Sequence, residues 1–239
     1  MTTKWLEARE LVLTYAQKLL NERLVFSTAG NISMRIPGEP NLLAITPTSI
    51  PYDFLEPEDI VIVNLDGEVV DGRRTPTSET TMHTLICKRR PEVGGIVHTH
   101  GKAVMTMANL GWTLPAILTG LTEATGGPVY TSPYSQPETD QMADYTEEAL
   151  QGRGATFLRF HGLLSVGADV HHAFHQAAVI EGGCEVYLAA CQLVGKENVP
   201  ELPQEQVDWI ASYFRAQFPG APEPLPIPAN DPYPGLVRV

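Results

Sequence analysis

Trp5, Ala8, Val12, Tyr15 and Leu19 recur at steps of three and four within residues 3–22, which aligns them as one stripe on a helix. The spacing predicts an amphipathic helix that covers a sheet. The period then drops to two. Asn31-Ile-Ser-Met-Arg-Ile36 alternates, Asn41 to Ile45 is apolar, and Ile60 to Leu65 faces Glu68 to Val70 across Asp66-Gly67. These are strands, the last two joined as a hairpin. Glu79 to Arg90 reads as a helix begun by Thr77-Ser78, Gly95 to His100 as a strand, and Lys102 to Leu110 as a helix. Pro137 to Gly152 is a further helix, Thr156 to Phe160 and Leu163 to Val166 are strands, and Asp169 to Leu193 is a long helix interrupted at Gly182-Gly183. Hairpins and crossovers occur together, so the class is mixed α/β.

The pattern ends in a stretch of another kind. Residues 219–239 hold Pro219, Pro222, Pro224, Pro226, Pro228, Pro232 and Pro234. Proline at this density continues neither a helix nor a central strand. The expectation is one domain over 1–218 and an extended tail over 219–239, either lying across a neighbouring subunit or disordered. No internal repeat is found.

With 239 residues, 43% of them hydrophobic and 18% charged, the chain can bury one sizeable core. Its formal charge of -12 opposes nucleic acid and anionic lipid as partners. An anionic small substrate then needs a pocket that concentrates donors or a metal locally. The N-terminus lacks the apolar core of a leader, and no run approaches the ~18 apolar residues of a membrane span, so a cytoplasmic protein is expected. Cys87, Cys184 and Cys191 are odd in number and lack zinc-site spacing, which points to buried free thiols.

His98 and His100 stand two apart on an apolar strand and so point to one face, where a divalent metal can join them. A pair of histidines alone is equally well a chance placement. His161, beside the turn glycine Gly162, supplies a third imidazole, and Glu79 at a helix start supplies a carboxylate that either binds metal or takes a proton. Read singly, Glu79 is an ordinary first-turn acid. His83, one turn on, is either a partner of the site or an exposed residue, and His171 and His175 read as a solvated face. Thr28-Ala-Gly-Asn31, Thr46-Pro-Thr-Ser49 and Thr77-Ser78 offer backbone N–H groups and hydroxyls to an anion, though each alone is an ordinary turn or cap.

TAGNIS, ITPTS, PTSE, GGIVHTH and FHGLLSVG occur in an order and spacing that resembles the class II aldolase and adducin family, with the likeness covering roughly residues 5–215. The resemblance implies a single-domain three-layer α/β/α sandwich around a mixed, largely antiparallel sheet. It also implies a homotetramer with sites between subunits and a Zn²⁺ ion, or Mn²⁺ or Co²⁺. His98, His100 and His161 fall on the family's metal ligands, and Glu79 on its acid or base, which also coordinates metal when substrate is absent. Thr28, Gly30, Asn31, Thr48, Thr77 and Ser78 fall on positions lining a phosphate pocket.

The implied activity is cleavage of a ketose phosphate by retro-aldol chemistry through a metal-stabilised enediolate, with a small sugar phosphate as partner and Glu79 moving protons. Two departures stand out. Ser49 replaces a glycine of the family's usual turn, and Gly120 lies near the expected position of the aldolase branch's tyrosine. Glu123, close to an acidic position of the epimerase branch, joins Glu79 as a catalytic candidate. A pentulose-phosphate 4-epimerase and a non-enzymatic adducin-like interaction module are therefore the alternative readings.

Overall fold

The computed structural model describes residues 5–223; residues 224–239 of the expected tail lie outside the described residues. The first helix, α1 (Leu6–Asn21), follows the apolar stripe, burying Ala8, Val12, Tyr15, Ala16 and Leu19. The sheet elements that come next are β1 (Asn31–Ile36), β2 (Glu39–Ile45), β3 (Val61–Asn64) and β4 (Val69–Asp71). Then come α2 (Thr80–Arg89), β5 (Gly95–Thr99), α3 (Lys102–Leu110), α4 (Thr119–Thr125) and α5 (Asp140–Leu150). β6 (Ala155–Leu158), β7 (Gly162–Gly167), α6 (Val170–Val194) and α7 (Gln204–Gln217) complete the described chain.

The seven strands form one open sheet in the order β4-β3-β2-β1-β5-β7-β6. Every pairing between these strands is antiparallel, and among the described residues parallel geometry occurs at an isolated bridge from Thr131 to Phe157. β5 lies in the interior of the sheet, beside the central β1, because the chain leaves β4, crosses through α2, and returns beside β1 rather than beside its predecessor. Antiparallel register pairs Asn31 of β1 with His98 of β5, and His98 with Leu164 of β7.

Alternation along the strands divides the apolar residues between two cores. Ile32, Ile62 and Val97 pack with Val12 and Leu19 of α1, Met107 of α3, and Ala177 and Ile180 of α6. Val61, Val63, Ile96, Leu164 and Val166 pack on the other face with Met82 and Ile86 of α2, Met142 and Ala143 of α5, and Phe214 of α7. The result is three layers. β5 is buried along its whole length, and each apolar side chain it removes from water stabilises it at ~25 cal/mol per Å². Arg9 stays within this interior because its guanidinium bonds the Ile60 carbonyl and the Asp71 carboxylate.

Several elements differ from expectation. α6 runs without a break through Gly182 and Gly183, 25 residues in all. Tertiary packing replaces the missing side chain: a Cβ on Gly183 would stand 3.2 Å from Leu121 Cδ2, so the glycine lets α4 lie against α6. α6 is also the helix among the described residues that is long and apolar enough to cross a bilayer. Its earlier turns pack against β5 and β7 while Val186, Leu193 and Val194 further along are exposed, and Gln176 and Glu181 interrupt the apolar run. Helices α4 and α7 were not expected. Cys87 and Cys184 are buried free thiols, while Cys191 is half-buried.

Candidate metal centre

His98 is placed by the middle of the sheet. It lies on β5 between two paired strands, is 0% exposed, and its Nδ1–H donates to the Leu163 carbonyl at 2.8 Å. With the proton held on Nδ1, the Nε2 lone pair is left facing the cluster. His100 falls just past the end of β5, where its backbone N–H donates to the Leu24 carbonyl. His161 occupies the three-residue turn between β6 and β7, whose N–H to Leu158 carbonyl bond closes the turn. Gly162 allows this turn to reach β5, since a Cβ there would sit 2.3 Å from the Thr99 carbonyl oxygen.

The three rings meet edge to face, with centroids 4.6, 4.8 and 4.9 Å apart. One ligand nitrogen from each lies within 4.8 Å of the others, and His98 Nε2 and His100 Nε2 are 2.8 Å apart. Glu79 closes the fourth side, with Oε2 3.3 Å from His98 Nε2 and Oε1 3.4 Å from His161 Nε2. Burial, then the adjacent His161, holds His98 well below the ordinary imidazole range. Burial, then His98 and His161, pushes His100 down to about 3. Both rings are neutral at pH 7 and offer lone pairs, which is the chemistry a divalent ion requires. The donor set fits a metal.

Glu79 sits at the N-cap of α2, one residue ahead of its first turn. Its side chain does not cap the helix but turns to the histidines, and Asn31 Nδ2–H donates to Oε2 at 2.9 Å. Thr77 and Ser78 precede it in a segment tied to the 46–48 loop by Thr77 N–H to Thr46 O and Thr48 N–H to Thr75 O. The two hydroxyl-bearing segments thus stand side by side.

A cleft of about 180 Å³ opens over the histidines, far more than the ~10–15 Å³ needed by one water. Thr28, Gly30, Asn31, Thr48, Thr77 and Ser78 line it together with Glu79 and the three histidines. Gly30 is needed there in the left-handed region, φ +76°, with space for a Cβ denied by Val25 and the His98 carbonyl. Ser49 lines the cleft as well, and adopts the left-handed φ of 61° that the family's glycine would take without strain. Its hydroxyl lies 3.3 Å from that of Thr48.

Glu123 is not brought to this cleft within the chain. It is exposed on α4, and Gln217 Nε2–H donates to it at 3.3 Å. Gly120 is exposed on the same helix. His171 and His175 are exposed on α6; His171 Nδ1 pairs with the Tyr15 hydroxyl at 2.9 Å. His83 is wholly buried, with both ring nitrogens hydrogen-bonded. Sequence reasoning passed over Ala29 and Pro47 of the lining, for which the only signal is their place inside the TAGN and TPTS segments.

The family described as Class II Aldolase and Adducin N-terminal domain matches residues 10–188. A 5-deoxy-D-ribulose 1-phosphate aldolase of Bacillus thuringiensis serovar kurstaki is 36% identical over 206 residues, 86% of this chain and 94% of its own. An L-ribulose-5-phosphate 4-epimerase of Salmonella paratyphi B is 32% identical over 170 residues, 66% of this chain and 74% of its own. Among solved structures, an L-fuculose 1-phosphate aldolase superposes with a TM-score of 0.82 at 28% identity, covering 87% of this chain and 96% of that one.

Proposed function

The chain belongs to the class II aldolase and adducin family, and on that premise we propose that it cleaves a 5-deoxyketopentose 1-phosphate to dihydroxyacetone phosphate and acetaldehyde. It is a divalent-metal-dependent aldolase. One observation carries the reading: three imidazoles and a carboxylate converge at the floor of a cleft whose walls carry the hydroxyls of Thr28, Thr48, Thr77 and Ser78. A metal-chelating ketose with a phosphate one carbon away needs those two surfaces side by side.

His98, His100 and His161 would hold the ion. When bound, it polarises the C2 carbonyl and steadies the charge that C3–C4 cleavage leaves there. Glu79 Oε1, which Asn31 does not engage, takes the C4 hydroxyl proton as the C4 aldehyde forms. The electron pair of the broken bond stays with the three-carbon fragment, and the same carboxyl returns its proton to C3. Proton and electron counts are thereby conserved, and no Schiff-base lysine is required. Thr28, Thr48, Thr77 and Ser78 present hydroxyls to the phosphate, and the N-terminal end of α2 favours its charge.

An all-imidazole ligand set supports zinc, with cobalt or manganese as substitutes. Exposed Val186, Leu193, Trp209 and Tyr213 support assembly, which the proposal takes to be a homotetramer. The proposed compartment is the cytoplasm, where free thiols such as Cys191 stay reduced. The 4-epimerase reading rested on Glu123, and its exposed place on α4 adds nothing to it.

Purified protein loaded with zinc, manganese or cobalt and given 5-deoxyribulose 1-phosphate, fuculose 1-phosphate or ribulose 5-phosphate tests the proposal. Dihydroxyacetone phosphate and acetaldehyde should appear in equal amounts from the first. Epimerised pentulose phosphate without free aldehyde would overturn it, as would full activity after chelation.

A further inference from the structure

Asn31 and Ser33 occupy alternate positions of β1, so both side chains leave the sheet on the face covered by α2. Between them enters His83, 0% exposed in a core otherwise built from Met82, Ile86, Ile96 and Leu164. Its Nδ1 lies 2.7 Å from Ser33 Oγ and its Nε2 2.6 Å from Asn31 Oδ1. Asn31 continues the line, donating from Nδ2 to Glu79 Oε2 at 2.9 Å. Four side chains from two elements thus form one chain of hydrogen bonds ending on the carboxylate of the metal centre.

The direction of that chain follows from what each atom can do. The Glu79 carboxylate only accepts, so the amide must turn its N–H toward it and its oxygen toward His83. That oxygen also only accepts, so the proton of His83 belongs on Nε2. Nδ1 is then bare and receives the Ser33 hydroxyl proton. Burial pushes His83 down to about 4, which keeps the ring neutral and the pattern intact at pH 7. Without His83 the Asn31 amide oxygen would lose its buried donor, and the side chain that holds Glu79 would be anchored at one end only.

We propose that His83 is a positioning residue that, through Asn31, holds the Glu79 carboxylate in place between His98 and His161. The role rests on the aldolase reading for its catalytic consequence and on hydrogen-bond geometry alone for its structure. Loss of a partner of this kind lowers activity by about 10–100-fold. The effect should fall on kcat, because His83 touches neither the cleft nor any of the three imidazoles.

The test uses zinc-loaded protein labelled with ¹⁵N-histidine. NMR should find His83 as a neutral ring protonated at Nε2, with slow exchange of that proton, from pH 6 to pH 8. A ring protonated at Nδ1, or one exchanging freely, would overturn the proposal whether or not the protein is an aldolase. In parallel, His83→Leu and His83→Gln are compared at equal zinc content and after circular dichroism shows both folded. His83→Leu should lose about 10–100-fold in kcat with KM within about threefold, whereas His83→Gln, which keeps a donor at the Nε2 position, should recover most of it. Equal losses in the two variants, or a loss confined to KM, would overturn the positioning role. Wild-type protein that cleaves no ketose phosphate would instead overturn the functional reading, and the NMR result would still decide the hydrogen-bond chain.

Discussion

Gly162 is the point at which a single methyl group should dismantle the metal centre. In Gly162→Ala the new Cβ would lie 2.3 Å from the Thr99 carbonyl oxygen, 3.3 Å from His98 Cε1 and 3.4 Å from His100 Cδ2. Cβ atoms essentially never approach closer than 3.0 Å, so the turn must retreat from β5 by about 0.7 Å, the difference between 3.0 and 2.3. His161 precedes Gly162 and moves with it. Metal–ligand distances tolerate only about ±0.2 Å, so one ligand of three is withdrawn.

Overpacking of this kind costs about 1–3 kcal/mol, equivalent to a fall of about 2–12 °C in melting temperature at 2–4 °C per kcal/mol for a chain of this size. Competition between the protein and a chromophoric chelator for zinc measures the first effect, and thermal denaturation of the metal-free protein the second. The expected outcome is zinc binding weakened tenfold or more with a melting temperature lowered within that range. Zinc affinity within twofold of wild type would show that the turn does not set the ligand geometry.

Ser49→Gly should relieve a left-handed backbone, raising stability by up to about 1 kcal/mol, while removing a hydroxyl from the cleft and raising KM for the phosphorylated substrate severalfold. A denaturation midpoint below that of wild type would contradict it. Stripping the metal with dipicolinate should lower the melting temperature by about 5–10 °C relative to protein in metal at a hundredfold excess over Kd, where linkage contributes about 2.7 kcal/mol. An unchanged melting curve would show that these histidines hold no ion in the folded state. For pH, the buried His83 titrates near 4 folded against an ordinary 6.5, so the unfolded chain binds more protons between those values. Stability therefore rises with pH across that window and falls on acidification, with about 3 kcal/mol from His83 alone and the likewise lowered His98 and His100 adding to the same slope. Urea midpoints of the metal-free protein at pH 7, 5.5 and 4.5 check the slope, and His83→Gln should make it shallower while the part due to His98 and His100 remains; a wild-type stability that is level over this range would contradict the burial argument.

The elements read well where one residue period dominated. α1 follows the Val12 and Leu19 stripe, and β1 and β5 follow alternation, because burial on one face or on two leaves a regular record in the residues themselves. α7 carries a stripe too, Val207, Ile210, Ala211 and Phe214, but a short one that borders the proline-rich stretch. α4 offered no such record: seven residues, three of them threonine and one glycine, form a helix because Leu121 packs under α6. The supposed break at Gly182-Gly183 fails for the same reason, since local propensity there is outweighed by packing.

For the metal centre, His98, His100, His161 and Glu79 were legible through the ordered motifs that resemble the class II aldolase and adducin family, since the spacing of two histidines alone is equally well a chance placement. What the linear order could not supply is distance across the fold. Whether Glu79 faces the histidines or caps α2, whether His83 is solvated or wedged beneath Asn31, and whether Glu123 reaches the cleft are questions of side-chain direction between elements far apart in the sequence, as Glu79 and His161 are. The sequence by itself determined the chemistry that is available. Only the antiparallel register around β5, set by both faces of the sheet being buried, decided which of those groups meet.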